Sequence, residues 1–335
     1  MEADWIRGFQ DRLGQPPSYV LRGIGDDAAC LLSPSGGSLL WTTDTQRENV
    51  HFRWEWMSPQ DVGYRLFISN LSDILVKGGT PYAALVALGV PAGFSEARLM
   101  SFYDGLSLVS QQFDCPVVGG DVARSVDGFN AVLSLLGKAS PGKFPGRELL
   151  SPGDSLYVVG RPGLARMGYL ACLEGRSSEP ALSQAVEAFR RPRTFSWMPE
   201  LIGGMDRLSA TMDTSDGLGQ AVFELATQSD VSICLDPPSD WLSHLDRSRE
   251  TLGQDPFALA WQGGEDYDLL LGVNREGEDA FVRRIGHFLE RTPDRLIRLG
   301  TVKPQSEAGN GMVLIKKQDG SFQQLERVGF DHTRN

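Results

Sequence analysis

At 335 residues the chain is more than twice the roughly 150 that one domain needs, so two domains of ordinary size are expected. Its 22% charged and 41% hydrophobic residues describe a globular chain, and no apolar run approaches the roughly 18 to 20 residues of a membrane span. With 32 basic against 43 acidic residues the formal net charge is -11, which excludes sequence-independent binding to nucleic acid or to an anionic membrane surface. The opening MEADWIRGFQ has neither a basic nor an apolar leader segment. Cys30, Cys115, Cys172 and Cys234 stand far apart with no CxxC pair, which argues against zinc, iron–sulfur or a disulfide framework and predicts a cytoplasmic protein.

In chain order, residues 2–14 read as a short amphipathic helix, and Tyr19 to Arg22 leads as an extended segment into the turn at Gly23-Ile24-Gly25. Ala28 to Leu32 and Ser38 to Asp44 are apolar runs joined by Pro34-Ser35-Gly36-Gly37, the pattern of a hairpin with a longer loop. Ser58 and Pro59 supply an N-cap and a proline at the first helical position, opening a helix that ends near Gly78-Gly79. Tyr82 to Val90 reads as a strand, Ser95 to Phe113 as a helix, and Cys115 to Val118 and Phe129 to Leu136 as strands. The Pro/Gly-rich stretch from Ser140 to Gly146, followed by Ser151-Pro152-Gly153-Asp154, predicts the boundary between an N-terminal domain (1–140) and a C-terminal α/β domain (150–335). Beyond it a strand is expected at Leu156 to Gly160, helices near 164–174 and 179–190, and strands at 208–212, 231–235, 269–273 and 312–315. The fold class is therefore α/β (α+β), each half a mixed sheet layered with helices.

Six clusters set acidic residues beside small ones at strand-to-loop junctions: Gly25-Asp26-Asp27, Thr42-Thr43-Asp44, Ser72-Asp73, Gly119-Gly120-Asp121, Asp213-Thr214-Ser215-Asp216-Gly217 and Gly263-Gly264-Glu265-Asp266-Tyr267-Asp268. One such cluster is ordinary turn chemistry. Six brought together would repel one another unless cations neutralise them, and hard oxygen donors suit Mg²⁺, which commonly shares its coordination with substrate phosphates. At least eight acids are expected to converge on one cleft: Asp27, Asp44, Asp73, Asp121, Asp213, Asp216 and Glu265, with Asp26 in support. Asp26 is the turn residue of its pair, because neighbouring side chains on extended backbone point opposite ways. Two nucleotide motifs are decoys. Gly137 to Lys143 has Walker A spacing, but Phe144 stands where a Ser or Thr must bind Mg²⁺. Gly23 to Ala28 meets a loose dinucleotide pattern, but two carboxylates would face the pyrophosphate and the following segment is strand-like and short.

The ordered set GIGDDAA (23–29), TTDT (42–45) with VHF (50–52), SNLSD (69–73), GGD (119–121), PGD (152–154), DTSDGL (213–218), GGEDYDLL (263–270) and GFDH (329–332) resembles the thiamine-monophosphate kinase family, within the superfamily of aminoimidazole-ribonucleotide-synthetase-like ATP enzymes. The likeness covers essentially the whole chain. It implies two α/β domains, a cleft holding ATP and several Mg²⁺, and a homodimer formed through the first sheet. By the same resemblance Asp27, Thr42, Thr43, Asp44, Asp73, Asp121, Asp213 and Asp216 are metal ligands. Gly120, Asp121, Ser215, Arg147 and Tyr103 contact ATP, His51, Glu265 and Phe330 contact thiamine monophosphate, and Asp44, Asp213 and Arg147 act in catalysis. The chain departs from the pattern at 46–49, 148–150 and 163–168, and Lys77 stands where relatives commonly carry a hydrophobic residue.

The implied reaction is in-line transfer of the γ-phosphoryl group of ATP to a phosphate oxygen. A phosphate monoester is already mostly dianionic at pH 7, so a site rich in Asp and poor in His suffices. Alternatives from other classes are a sister ATP enzyme with another acceptor, a nucleotide-binding protein without transfer activity, and the dinucleotide oxidoreductase argued against above. A selenophosphate synthetase would carry a reactive Cys before the first Gly-Asp motif, and no Cys precedes Cys30.

Overall fold

The computed structural model describes residues 13, 16–34, 36–139, 144–205, 208–290, 292–305, 311–317 and 319–327. The helix expected over 2–14 falls almost wholly outside them, as does Phe330. Two mixed sheets, each layered with helices, organise the described chain. The first comprises β1 (Val20–Arg22), β2 (Ala29–Leu32), β3 (Ser38–Arg47), β4 (Gly79–Pro91), β5 (Val117–Ser125) and β6 (Asn130–Ala139) in the order β1-β2-β3-β6-β4-β5. Every neighbouring pair is antiparallel except β4 and β5. The expected hairpin forms between β2 and β3, with Leu32 opposite Ser38. Strand β5 runs well past the expected Val118; it is an edge strand exposed on nearly all positions, so it has no buried face to impose an alternating pattern.

Among the described residues two helices accompany this sheet, α1 (Pro59–Val76) and α2 (Glu96–Gln112). Ser58 caps α1 as read from the sequence: its hydroxyl accepts from the Asp61 N–H at 3.2 Å, and the Asp61 carboxylate accepts from the Ser58 N–H at 3.1 Å. The α1–α2 crossing is close because both helices present glycine there. A Cβ on Gly63 would lie 2.0 Å from the Phe102 carbonyl oxygen, and one on Gly105 would lie 2.0 Å from that of Gln60. Most of the eighteen residues of α1 are buried, including Arg65, Ser69, Asn70 and Ser72.

The second sheet is built from β7 (Ser155–Gly160), β8 (Leu208–Asp213), β9 (Ser232–Leu235), β10 (Leu269–Val273), β11 (Arg295–Lys303), β12 (Val313–Lys316) and β13 (Phe322–Gln324), in the order β13-β12-β9-β11-β7-β10-β8. Its helices are α3 (Leu164–Leu173), α4 (Ser183–Arg190), α5 (Met198–Gly203), α6 (Leu218–Gln228), α7 (Ser248–Leu252), α8 (Pro256–Gln262) and α9 (Glu278–Leu289). Strands β7 and β10 are buried at every position, which is why they read as unbroken apolar runs. Strand β11 was not legible, although it lies centrally between β9 and β7. Arg298 interrupts its apolar pattern, paired with Glu278 at 3.1 Å, and Gly300 is required because a Cβ there would sit 2.1 Å from the Cys234 carbonyl oxygen. Among the described residues no helix is long and apolar enough to cross a membrane.

Candidate active site

The acidic centre is assembled from three places in the chain. Asp27 follows the turn at Gly25, Asp73 lies on the last turns of α1, and Asp213 ends β8. Each offers a carboxylate oxygen, and these oxygens lie within 4.8 Å of one another. Thr42, on the inner face of β3, donates from its hydroxyl to Asp73 Oδ2 at 2.6 Å. Ser72 donates to Asp213 Oδ2 at 2.5 Å, and Ser215 donates to Asp213 Oδ1 at 2.8 Å. Asp44, two residues along the same strand face as Thr42, interacts electrostatically with Asp213 and Glu265, and the Ser69 side chain eases its charge.

The charges confirm how tightly these groups are packed. Burial raises Asp73 well above the usual carboxylate range, and the charges of Asp44, Asp213 and Asp27 raise it further against the Thr42 hydrogen bond. Burial likewise raises Asp213, helped by Asp27 and opposed by Ser72 and Ser215. Asp44 is pushed up to about 6 by burial and by Asp213 and Glu265. Asp27 goes the other way: burial alone would raise it, but the Arg147 guanidinium and the Lys77 ammonium outweigh that effect and hold it at about 2. Converging carboxylates, two of which, Asp73 and Asp213, hold their protons abnormally tightly for want of a neutralising charge, fit a small hard divalent cation such as Mg²⁺.

The Asp44 shift carries a pH signature. Below its unfolded value of about 4 the group is protonated folded and unfolded, and costs nothing. As pH rises to about 6 the folded state keeps the proton that the unfolded chain releases, so metal-free stability is lost across that window, by about 3 kcal/mol at most. In chelator, the unfolding temperature of Asp44→Asn should overtake that of the unsubstituted chain between those pH values; parallel curves would contradict the placement.

Other expected residues meet this centre indirectly. Glu265 adopts a positive φ of 73°, donates its N–H to the Ser215 carbonyl at 2.7 Å, and pairs through its carboxylate with Arg65. Tyr267 donates its hydroxyl to Glu265 at 3.2 Å. Arg147 clasps Asp27 at 2.5 Å and donates to the Gly25 carbonyl at 3.2 Å. His51 accepts from the Arg47 N–H at 3.1 Å through Nδ1. Asp216 is exposed in the loop before α6. Tyr103 lies on α2 with its ring edge-on to Phe102 at 5.8 Å.

Several expectations need correction. Asp26 and Asp27 do not point opposite ways, because the backbone there turns: both carboxylates reach Lys77, at 2.7 and 2.6 Å. Thr43 alternates to the outer face of β3, where its hydroxyl donates to the Leu133 carbonyl at 3.1 Å, so it could reach an ion beside Asp44 only through its main chain. Asp121 is also not drawn to the cluster. It stands opposite Ala87, which stands opposite Val132, which stands opposite Thr45, so it is exposed on the outer face three strand spacings from β3. Gly120 beside it must be glycine, since a Cβ would lie 1.8 Å from the Val86 carbonyl oxygen. Of the three acids in the sixth cluster, Glu265 is the one that faces the acidic centre. Asp266 accepts from the N–H groups of Gly163 and Ala165 at 2.6 and 2.7 Å, closing the start of α3.

Two cations were not legible as site residues. Arg65 is fully buried, donates to the Phe189 carbonyl and lies 4.9 Å from the Phe189 ring centroid. Lys77 was noted only as a departure. The signal for both is a polar stripe on one face of a buried helix, Arg65, Ser69, Ser72 or Asp73, and Lys77, at spacings of three to four residues.

Residues 25–139 match the family described as AIR synthase related protein, N-terminal domain. The chain is 32% identical over 269 residues to the thiamine-monophosphate kinase of Synechococcus elongatus, covering 78% of this chain and 80% of that protein. It is 31% identical over 338 residues to the thiamine-monophosphate kinase of Escherichia coli O157:H7, covering 99% and 98%. Among solved structures it resembles AaThiL complexed with AMPPCP and TMP, with a TM-score of 0.80, 29% identity and coverage of 99% of this chain and 96% of that one. Likeness of this extent, running through every element that builds the acidic centre, means that the chain belongs to the thiamine-monophosphate kinase family.

Proposed function

We propose that this chain transfers the γ-phosphoryl group of ATP to thiamine monophosphate, giving thiamine diphosphate and ADP. The observation that carries the reading is the convergence of Asp27, Asp73 and Asp213 from three separate elements onto one cation-sized space, in a chain related over nearly its full length to kinases of this name. A nonbridging oxygen of the acceptor phosphate attacks the γ-phosphorus. The bond to the β–γ bridging oxygen breaks, and ADP leaves with that electron pair. No protein base is needed, because a phosphate monoester with a second pKa of about 6 is already ionised.

Asp27, Asp73 and Asp213, with Thr42 and Asp44 beside them and Asp216 in the loop before α6, would hold Mg²⁺. Bound there, Mg²⁺ neutralises and aligns the phosphates of both substrates. Ser215 orients Asp213 and meets the nucleotide. Arg147 is placed to exchange its hold on Asp27 for a phosphate oxygen. His51, Glu265 and Phe330 receive the acceptor. The chain acts in the cytoplasm, as two domains spanning 1–140 and 150–335.

A homodimer formed through the first sheet is supported by its outer face, where Trp41, Leu85 and Val132 are exposed, and by the neighbouring edge strand, where Val118 and Val122 are exposed. Asp121 and Thr43 lie on that side of the sheet, and Gly120 lies beside Asp121 on the edge strand. Sedimentation velocity should return twice the chain mass; a monomer at micromolar concentration would remove the dimer from the reading.

The test of the activity is ATP consumption by purified protein against thiamine, thiamine monophosphate and aminoimidazole ribonucleotide precursors. Turnover is expected with thiamine monophosphate, with thiamine diphosphate as product. Turnover with free thiamine and none with its monophosphate overturns the proposal.

A further inference from the structure

Lys77 directly follows the last helical residue of α1 and is 2% exposed. Burying an ammonium costs several kcal/mol unless its protons are all taken up. Here the ammonium donates to the Thr211 carbonyl at 2.7 Å, and its charge is offset by two carboxylates, Asp26 Oδ1 at 2.7 Å and Asp27 Oδ2 at 2.6 Å. Its position is held from both sides. The Lys77 N–H donates to the Leu75 carbonyl at the end of α1, and the Thr211 hydroxyl donates to the Val76 carbonyl at 2.6 Å, joining β8 to the helix one residue earlier. Glycine follows with a φ of 72°, which turns the chain away from the site. The ammonium is thus a fixed component of the acidic centre, not a surface charge that has folded inward.

Asp27 is the shared member. One of its oxygens takes Lys77 and the other Arg147, while Asp27 also belongs to the trio with Asp73 and Asp213. Asp26 takes no part in that trio; it accepts from the Asp27 N–H at 2.8 Å, and its charged partners are Lys77 and the two arginines Arg22 and Arg147. The end of the cluster made by Asp26 and Asp27 is therefore supplied with positive charge by the chain itself, whereas the donors to Asp73 and Asp213 are uncharged: the hydroxyls of Thr42, Ser72 and Ser215 and the Ser215 N–H.

We propose that the Lys77 ammonium is a resident cation that permanently fills the Asp26–Asp27 end of the acidic centre, so that this chain binds one divalent ion fewer there than it would with an uncharged residue at position 77. The inference rests on reading Asp27, Asp73 and Asp213 as metal ligands. It differs from a merely structural ion pair in one respect: a divalent ion can take over the lysine's place, but cannot restore a lost packing contact.

The experiment counts Mn²⁺ bound per chain by electron paramagnetic resonance, and measures thermal unfolding in chelator and in Mg²⁺, for the unsubstituted chain, Lys77→Met and Lys77→Gln. Both variants should bind one more Mn²⁺ per chain than the unsubstituted protein. Their unfolding temperature in chelator should fall by about 5–10 °C, and Mg²⁺ should restore most of that loss. Lys77→Gln keeps hydrogen-bond donors without the charge, so an extra ion in both variants assigns the effect to charge. Equal Mn²⁺ counts in all three proteins, or a loss of stability that is the same with and without Mg²⁺, overturns the inference while leaving the metal reading intact. Absence of Mn²⁺ binding by the unsubstituted chain overturns the metal reading and this inference with it.

Discussion

Asp213→Asn should lower turnover by about a thousandfold, the rate equivalent of about 4 kcal/mol of lost transition-state stabilisation, while raising the unfolding temperature of the metal-free protein. The two effects have one cause. Asp213 is buried at the end of β8 with its oxygens committed to Ser72 and Ser215, close to Asp27, Asp73 and Asp44. A group selected for stability would not be a carboxylate there, since burial and its neighbours already raise its pKa. Asparagine is nearly isosteric. Its carbonyl oxygen can accept from Ser215 while its amide donates to Ser72, whose hydroxyl rotates to accept. The fold is then kept and a source of repulsion removed, but the site has lost one anionic oxygen ligand. Steady-state kinetics and thermal unfolding in chelator read the two effects separately. Unchanged turnover, or a lower unfolding temperature without metal, contradicts the role assigned to Asp213.

Arg65→Met should destabilise the protein by about 3 kcal/mol, at the low end of the range for removing one partner of a buried ion pair, and should raise KM for the acceptor more than it lowers kcat. The low end applies because the Glu265 side chain is 31% exposed and water can compensate part of its lost partner. Arg65 itself has no access to water. Its guanidinium joins α1 to α4 through the Phe189 carbonyl, and holds Glu265 where the backbone is already turned by two positive-φ residues, Glu265 and Tyr267. Methionine fills much of the volume but frees Glu265 from its anchor. Denaturant unfolding gives the stability change, and KM for thiamine monophosphate against that for ATP gives the site effect. Equal changes in both KM values would show that Arg65 supports the whole cleft and not the acceptor side.

The elements most legible in the sequence were those with strong local signals. Ser58-Pro59 marked the start of α1 because capping and proline geometry are set within one turn, and β2 with β3 followed from apolar runs around a Gly-rich loop. The acidic clusters were legible as a set: one is ordinary turn chemistry, but six brought together repel one another unless cations neutralise them. Strand β11 was hidden because its central place in the sheet is defended by partners distant in sequence, Glu278 for Arg298 and the Cys234 carbonyl for Gly300. Asp266 looked equivalent to Glu265, yet it closes the start of α3, an assignment that depends on where two other segments lie.

By itself, then, the sequence carried an excess of carboxylates in ordered motifs, a family, and with it a phosphoryl transfer between two anionic substrates. Tertiary structure alone decided which carboxylates share a space. Strand alternation sent Thr43 and Asp121 to the outer face while Thr42 and Asp44 turned inward. The turn at Gly25 aimed Asp26 and Asp27 together at Lys77. The physical reason is range: motif and turn preferences act over a few residues, whereas the charge felt by a buried group is set by whatever the fold brings within a few ångströms of it.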